Sequence, residues 1–144
     1  MAKPNDMTAF LAGVPLFQGL SKRHLTQLAR RFYPRSYKAG EAMVTQGKGG
    51  EGMFTIISGG AEVVLETADG TKTVVNTFGP TNFFGEITML DDGPRTASVV
   101  ATEATECLVL PRSDFIAVMQ NDADMATEIA IALAKRLRRA VSAM

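Results

Sequence analysis

Between Tyr37 and Leu110 the chain is a succession of short β-type runs punctuated by glycine, with no helix-length periodic segment between them. The runs are Ala42 to Thr45, Met53 to Ile57, Ala61 to Leu65, Val74 to Phe78, Ser98 to Ala101 and Cys107 to Leu110. Many short strands at turn-punctuated spacing predict a sandwich or a jelly-roll-like β-barrel. Ala61, Val63 and Leu65 alternate with Glu62 and Glu66, the period of a half-buried strand, and Asp69-Gly70 gives the backbone freedom for a hairpin into Val74. Gly47, Gly49, Gly50 and Gly52 cluster before Met53. They read as a turn that needs positive φ; a phosphate cradle is the sharper alternative, but no Lys-Ser/Thr pair follows them.

Helical patterns flank this region. Ser21 is a candidate N-cap, followed by Leu25, Leu28, Ala29 and Phe32 at i, i+3, i+4 and i+7. After Pro111, Ser113 is a second candidate N-cap, with Phe115, Ile116 and Met119 on one face until Asn121-Asp122 breaks the pattern. A last helix is expected from about Asp124. Its apolar stripe is Met125, Ile129, Leu133, Leu137 and Val141, with Asp122, Asp124 and Glu128 early and Lys135, Arg136, Arg138 and Arg139 late, an order that complements the helix dipole. The expected class is α+β, mainly β, in one domain over 1–144. Helices occupy 8–34, the barrel 37–111, and the C-terminal helices 113–142.

At 144 residues the chain can bury a core without staples. Its fifteen basic and fifteen acidic residues cancel, so net charge announces neither nucleic acid nor an anionic membrane as partner. No apolar run is long enough to span a bilayer, so direct membrane insertion is not expected. The single cysteine, Cys107, excludes an internal disulfide and reads as a buried structural thiol. Met1 to Asp6 is polar and lacks the basic-then-apolar order of a secretory signal, which predicts a cytoplasmic protein.

One segment, Phe83 to Val100, does not read as ordinary strand and turn. Glu86 to Leu90 can form one helical turn entered through Gly85, and a helix start presents unpaired N–H groups to an anion. A turn at Asp92-Gly93-Pro94 can fold Arg95 back toward that start, where its guanidinium fork suits phosphate oxygens, with Thr96 next in line. Glu86, an acceptor only, then implies a ligand that also offers hydroxyl donors, such as a ribose. The alternative is a surface ion pair between Glu86 and Arg95, contributing about 0–1 kcal/mol.

The same stretch resembles the phosphate-binding cassette of the cyclic nucleotide-binding domain family. That family includes protein kinase A regulatory subunits, cyclic nucleotide-gated channels, bacterial ones among them, and catabolite-activator-type regulators. Val14-Pro15-Leu16-Phe17 with Leu20, Ala39-Gly40-Glu41, Gln46-Gly47, Ile56-Ile57-Ser58-Gly59 and Phe78-Gly79-Pro80 extend the likeness over about residues 10 to 140. The resemblance implies cAMP or cGMP as a regulatory ligand. Glu86 would accept the ribose 2′-hydroxyl, Arg95 would pair with the cyclic phosphate, and Gly85 would let the backbone approach the sugar. Amides at Thr88 and Thr96 would complete a cradle that also includes Ile87 and Ala97. Thr88 stands where the family usually has alanine, which makes the inner wall more polar or more crowded; Thr96 discriminates cAMP from cGMP only weakly. The last helix would act as a lid, with Arg136 over the purine; Arg136 reads equally as a solvated helix end.

A metal enzyme of the related cupin type needs several histidines on inner strands, and the chain has only His24, on the first helix, so no metal is expected. Neither Ser98 nor Cys107 has a neighbouring base, so no catalytic residues are assigned. A helix-turn-helix after the sensor would make a transcription regulator, and with the chain ending at Met144 no nucleic-acid partner is expected. The expected output is a stand-alone sensor acting in trans on an effector protein. A sensor half of a regulator or channel, or a non-binding interaction domain, is the alternative. The stripe of the last helix fits a lid or a homodimer seam equally.

Overall fold

The computed structural model describes residues 7–49, 51–86, 88–91 and 93–144. Gly50, Ile87, Asp92 and the first six residues, each named above, lie outside that description. Residues 32–112 form one compact unit; residues 7–31 and 113–144 belong to the other.

The first unit holds β1 (Tyr33–Tyr37), β2 (Ala42–Val44), β3 (Gly52–Ser58), β4 (Ala61–Glu66), β5 (Lys72–Phe78), β6 (Phe83–Phe84), β7 (Ser98–Ala101) and β8 (Thr105–Pro111). They make two four-stranded sheets, ordered β1-β8-β3-β6 and β2-β7-β4-β5, antiparallel throughout. The mainly β class with helices at both ends is as expected, but the two sheets do not close into a barrel. Residues from both sheets, including Tyr37, Phe54, Ile56, Val99, Cys107 and Val109, share one buried core. Phe84 is stacked between Phe54 and Phe78, with ring centroids 5.0 and 5.2 Å away and planes 3° apart. That stack fixes the short strand from which the candidate site departs.

Every expected strand is present, and two further ones, β1 and β6, are added. β1 starts inside the stretch assigned to the helical lead-in: Tyr33-Pro34-Arg35-Ser36-Tyr37 has only Tyr37 buried, so no hydrophobic period announces it. Pro34 suits a sheet edge, where a missing N–H costs no ladder bond. The Asp69-Gly70 hairpin forms between β4 and β5, with Gly70 at φ +86° and Asp69 accepting from the Thr71 N–H at 3.0 Å.

The second unit holds α1 (Met7–Ala12), a 3₁₀ turn at Pro15–Phe17, α2 (Lys22–Ala29) and α5 (Ala123–Ser142), with α4 (Arg112–Gln120) belonging to it from Ser113 onward; α3 (Thr88–Asp91) is a single turn in the β unit. Ser21 caps α2 reciprocally: its hydroxyl accepts the His24 N–H at 3.2 Å and the His24 ring accepts the Ser21 N–H at 3.4 Å. Ser113 does not cap α4, because the helix already includes Arg112, whose N–H donates to the Glu51 carbonyl at 2.9 Å. Asp122 caps α5, accepting from the Met125 N–H at 3.1 Å. Along the α5 stripe Met125 and Ile129 are buried, whereas Leu137 and Val141 are 66% and 58% exposed.

Candidate phosphate-binding site

The site begins where β6 ends. Gly85 has φ +87°, and a Cβ there would sit 2.6 Å from both Arg95 Nη1 and the Gly52 carbonyl oxygen. Only glycine fits, since it tolerates the left-handed region and leaves room for the guanidinium. Arg95 thus folds back onto the backbone that opens the segment.

A cavity of about 300 Å³ lies beside this crossing, a size at the lower end of small-molecule sites. Its polar side is formed by Gly85, Glu86, Thr88, Arg95, Thr96 and Ala97, six of the eight residues singled out from the sequence. Ile87 is outside the described residues. Arg136 lies on α5 in the helical unit, half-buried. The other side of the cavity is apolar, with Val44, Val63, Phe78, Phe84 and Val99. None of these five was assigned to the ligand from the sequence: Phe84 and Val99 lie within the Phe83 to Val100 segment and Phe78 within the family likeness, whereas Val44 and Val63 read as ordinary strand positions. The signal available for Val44 and Val63 was their placement on the apolar runs that became β2 and β4.

Arg95 is the electrostatic centre. It is 6% exposed, and Nη2 donates to the Gly52 carbonyl at 2.7 Å. Its Nε is buried without a hydrogen-bond partner, and among the described residues no carboxylate lies within ion-pair distance. Burial pushes its pKa below the ordinary arginine value, against the pull of Asp91, Glu51 and Glu86. An arginine stays charged through such a shift, so the fold holds a largely desolvated cation at a cavity wall. Leaving a buried charge unpaired costs several kcal/mol, which an anion in the cavity would offset.

The glycine cluster is part of this apparatus. The Arg95 N–H donates to the Lys48 carbonyl at 2.9 Å, the Gly47 N–H donates to the Arg95 carbonyl at 2.8 Å, and Gly52 holds the guanidinium. The turn therefore cradles the arginine rather than a phosphate directly. Gly52 has φ +151°, and a Cβ there would meet the Leu110 carbonyl at 1.9 Å, so β3 can leave the turn only through glycine. Beside Gly52, the Glu51 carboxylate pairs with Arg35 and accepts from the Tyr33 hydroxyl at 3.0 Å, and its pKa is held down chiefly by Arg35.

Among the described residues the helical turn after Gly85 covers Thr88–Asp91, so Glu86, expected to open it, lies outside the helix. The Thr88 hydroxyl donates to the Gly85 carbonyl at 2.8 Å. It thereby ties the turn to the glycine, a contact that alanine cannot make. Cys107 lies in the core, 0% exposed, with burial raising its pKa to about 12, which fits a structural thiol. Among the described residues no group of three or more His, Cys, Asp or Glu is placed to hold a metal, and no helix is long and apolar enough to cross a membrane.

Known proteins resemble this chain over most of its length. The model of the cyclic nucleotide-binding domain matches residues 34–122. The cyclic AMP receptor protein of Thermus thermophilus is 35% identical over 130 residues, 90% of this chain and 60% of that protein. The cAMP-dependent protein kinase regulatory subunit of Mycosarcoma maydis is 38% identical over 97 residues, 67% of this chain and 18% of that protein. The crystal structure of the N-terminal domain of a transcriptional regulator from Streptomyces coelicolor superposes with a TM-score of 0.84 at 26% identity, over 94% of this chain and 96% of that one. The chain spans about three fifths of the length of the curated regulators it matches. With the family model covering most of the chain, and Gly85, Glu86 and Arg95 gathered at one cavity, this chain belongs to the cyclic nucleotide-binding domain family.

Proposed function

We propose that this chain binds cAMP or cGMP as a regulatory signal and performs no catalysis on it. The observation that carries the reading is Arg95, a buried guanidinium at a cavity wall with an unpartnered Nε. In this reading Arg95 pairs with the cyclic phosphate, and amides at Thr88 and Thr96 add to the cradle. Glu86 accepts the ribose 2′-hydroxyl, and Gly85, Ile87 and Ala97 shape the wall around the sugar and phosphate. The apolar side, Phe84 and Val63 among it, takes the flat faces of the ligand. Arg136 of α5 is assigned to the purine, where stacking contributes about 0.5–2 kcal/mol.

The whole chain then works as a single sensor domain. Ligand capture shifts the population toward a state in which α5 closes on the base, by no more than the difference in ligand affinity between the states. The sensor acts in trans on an effector protein in the cytoplasm, with no metal, no DNA contact and no membrane insertion of its own; a homodimer through α5 is compatible with it. A second reading is favoured by the likeness to the Thermus cyclic AMP receptor protein, which extends over 90% of this chain and only 60% of that protein: the sensor half of a transcription regulator. Arg95→Ala tests the binding claim shared by both. Loss of a charge-assisted phosphate contact weakens cyclic nucleotide affinity by about tenfold or more. Unchanged affinity in a folded variant overturns the assignment.

A further inference from the structure

The helical unit contains a second cavity, of about 330 Å³, that the cyclic nucleotide reading does not use. Arg23, Gln27 and Arg30 line it at i, i+4 and i+7, so they follow one face of α2 to its C-cap over two turns. Arg31 and the Asn121 amide add further donors, and Asp122 is its single lining carboxylate. Three guanidiniums and two amides thus face one carboxylate.

That carboxylate is already committed. Asp122 Oδ1 caps α5, and Oδ2 lies 3.2 Å from His24 Nε2 and 3.6 Å from Arg23 Nη1. Arg31 pairs with Asp114 at 3.0 Å. Arg30 has no ion pair among the described residues and is exposed. The helix dipole accounts for Arg30 at the C-cap of α2 and Arg31 just beyond it, but it disfavours Lys22 and Arg23 in a first turn that carries no acidic residue. Positive charge therefore lies along this face even at its N-terminal end, where the helix dipole disfavours it and Asp122, 3.6 Å from Arg23, is the nearby carboxylate.

We propose that this cavity is a second anion site, for a small ligand carrying two or more phosphate groups that bridges Arg23 and Arg30. Arginine forks match phosphate oxygens in pairs; Gln27 lies between Arg23 and Arg30 on the helix, and Asn121, whose Nδ2 donates one N–H to the Ala117 carbonyl at 2.8 Å, keeps a second N–H. The Arg23 and Arg30 backbones are two helical turns apart, about 10 Å along the axis, so the long arginine side chains must lean inward to meet on one ligand, and a ligand with two phosphates offers each fork its own oxygens. The site stands independently of cyclic nucleotide binding, since every residue in it belongs to the helical unit.

The test is a titration of the whole chain with inorganic pyrophosphate, followed by amide NMR, first alone and then with saturating cAMP to occupy the cassette. Shifts are expected at the Gln27 and Asn121 side-chain amides and at Ala117 and Val118, and they persist with cAMP present. Arg30→Glu, an exposed change that leaves the fold intact, weakens pyrophosphate by about tenfold. Arg138→Glu on α5, a cation outside this cavity, leaves it unchanged. Equal losses in the two variants, shifts confined to the Gly85–Ala97 segment, or no shifts at these four residues overturn the proposal.

Discussion

Gly85→Ala joins backbone strain and electrostatics in one methyl group. At φ +87° an L-residue pays the left-handed penalty, about 1–2 kcal/mol. The added Cβ also falls 2.6 Å from Arg95 Nη1 and from the Gly52 carbonyl oxygen, so the guanidinium and its acceptor are pushed apart. Their 2.7 Å charge-assisted bond is then lost. That bond contributes about 1.5–3 kcal/mol, for a total near 2.5–5 kcal/mol with the strain. Urea denaturation reads the total as a midpoint lowered by roughly 1–2 M at constant slope. Gly85→Asn separates the two parts, because asparagine tolerates left-handed backbone but carries the same Cβ; it recovers the strain and keeps the clash. A Gly85→Ala protein within about 0.5 kcal/mol of the parent, the range of an ordinary surface change, would show that neither the strain nor the clash exists.

Three further outcomes are expected. Asp122→Ala removes the α5 cap and the partner of His24, and lowers stability by about 1 kcal/mol in denaturant titration; no change would place the cap elsewhere. Cys107, with its thiol pushed up to about 12, should react with a thiol reagent at pH 8 only as fast as the protein unfolds; rapid labelling of the native state contradicts the buried core. Glu51 titrates below its ordinary value of 4.5 because Arg35 hydrogen-bonds its charged form. Its folded pKa is depressed, so its contribution to stability is present above that ordinary value and is lost as pH falls through the folded value. Glu51→Gln should therefore flatten part of the acid limb below about pH 4.5, and an unaltered acid limb would show that the pair contributes nothing.

The sequence revealed elements whose pattern and chemistry agree. The β8 run is a continuous apolar stretch, the β3 run is apolar but for Thr55, and Ser21 and Asp69-Gly70 are local signals, so their positions follow from short-range physics. β1 and β6 were illegible for a physical reason. β1 is an edge strand with four of its five residues unburied, and β6 is two residues long, held by pairing with β3 and by the Phe54–Phe84–Phe78 stack. Ser113 misled because the cap rule is local, whereas the start of α4 is set by the Arg112 N–H reaching the Glu51 carbonyl. Within the candidate site, Gly85, Glu86 and Arg95 carry chemistry that a sequence displays. The turn from Gly47 to Gly52 hid its part, since glycines reveal a need for backbone freedom but not which side chain that backbone will hold.

The central claim is that the cavity beside Arg95 takes a cyclic nucleotide, and titration calorimetry of the unmodified chain with cAMP and with cGMP tests it most directly. A buried arginine at the cavity wall, joined in the proposed reading by the Thr88 and Thr96 amides, predicts saturable one-to-one binding of at least one of the two, with a dissociation constant on the order of micromolar. Absence of saturable heat from both, at millimolar ligand and more than one temperature, would contradict it.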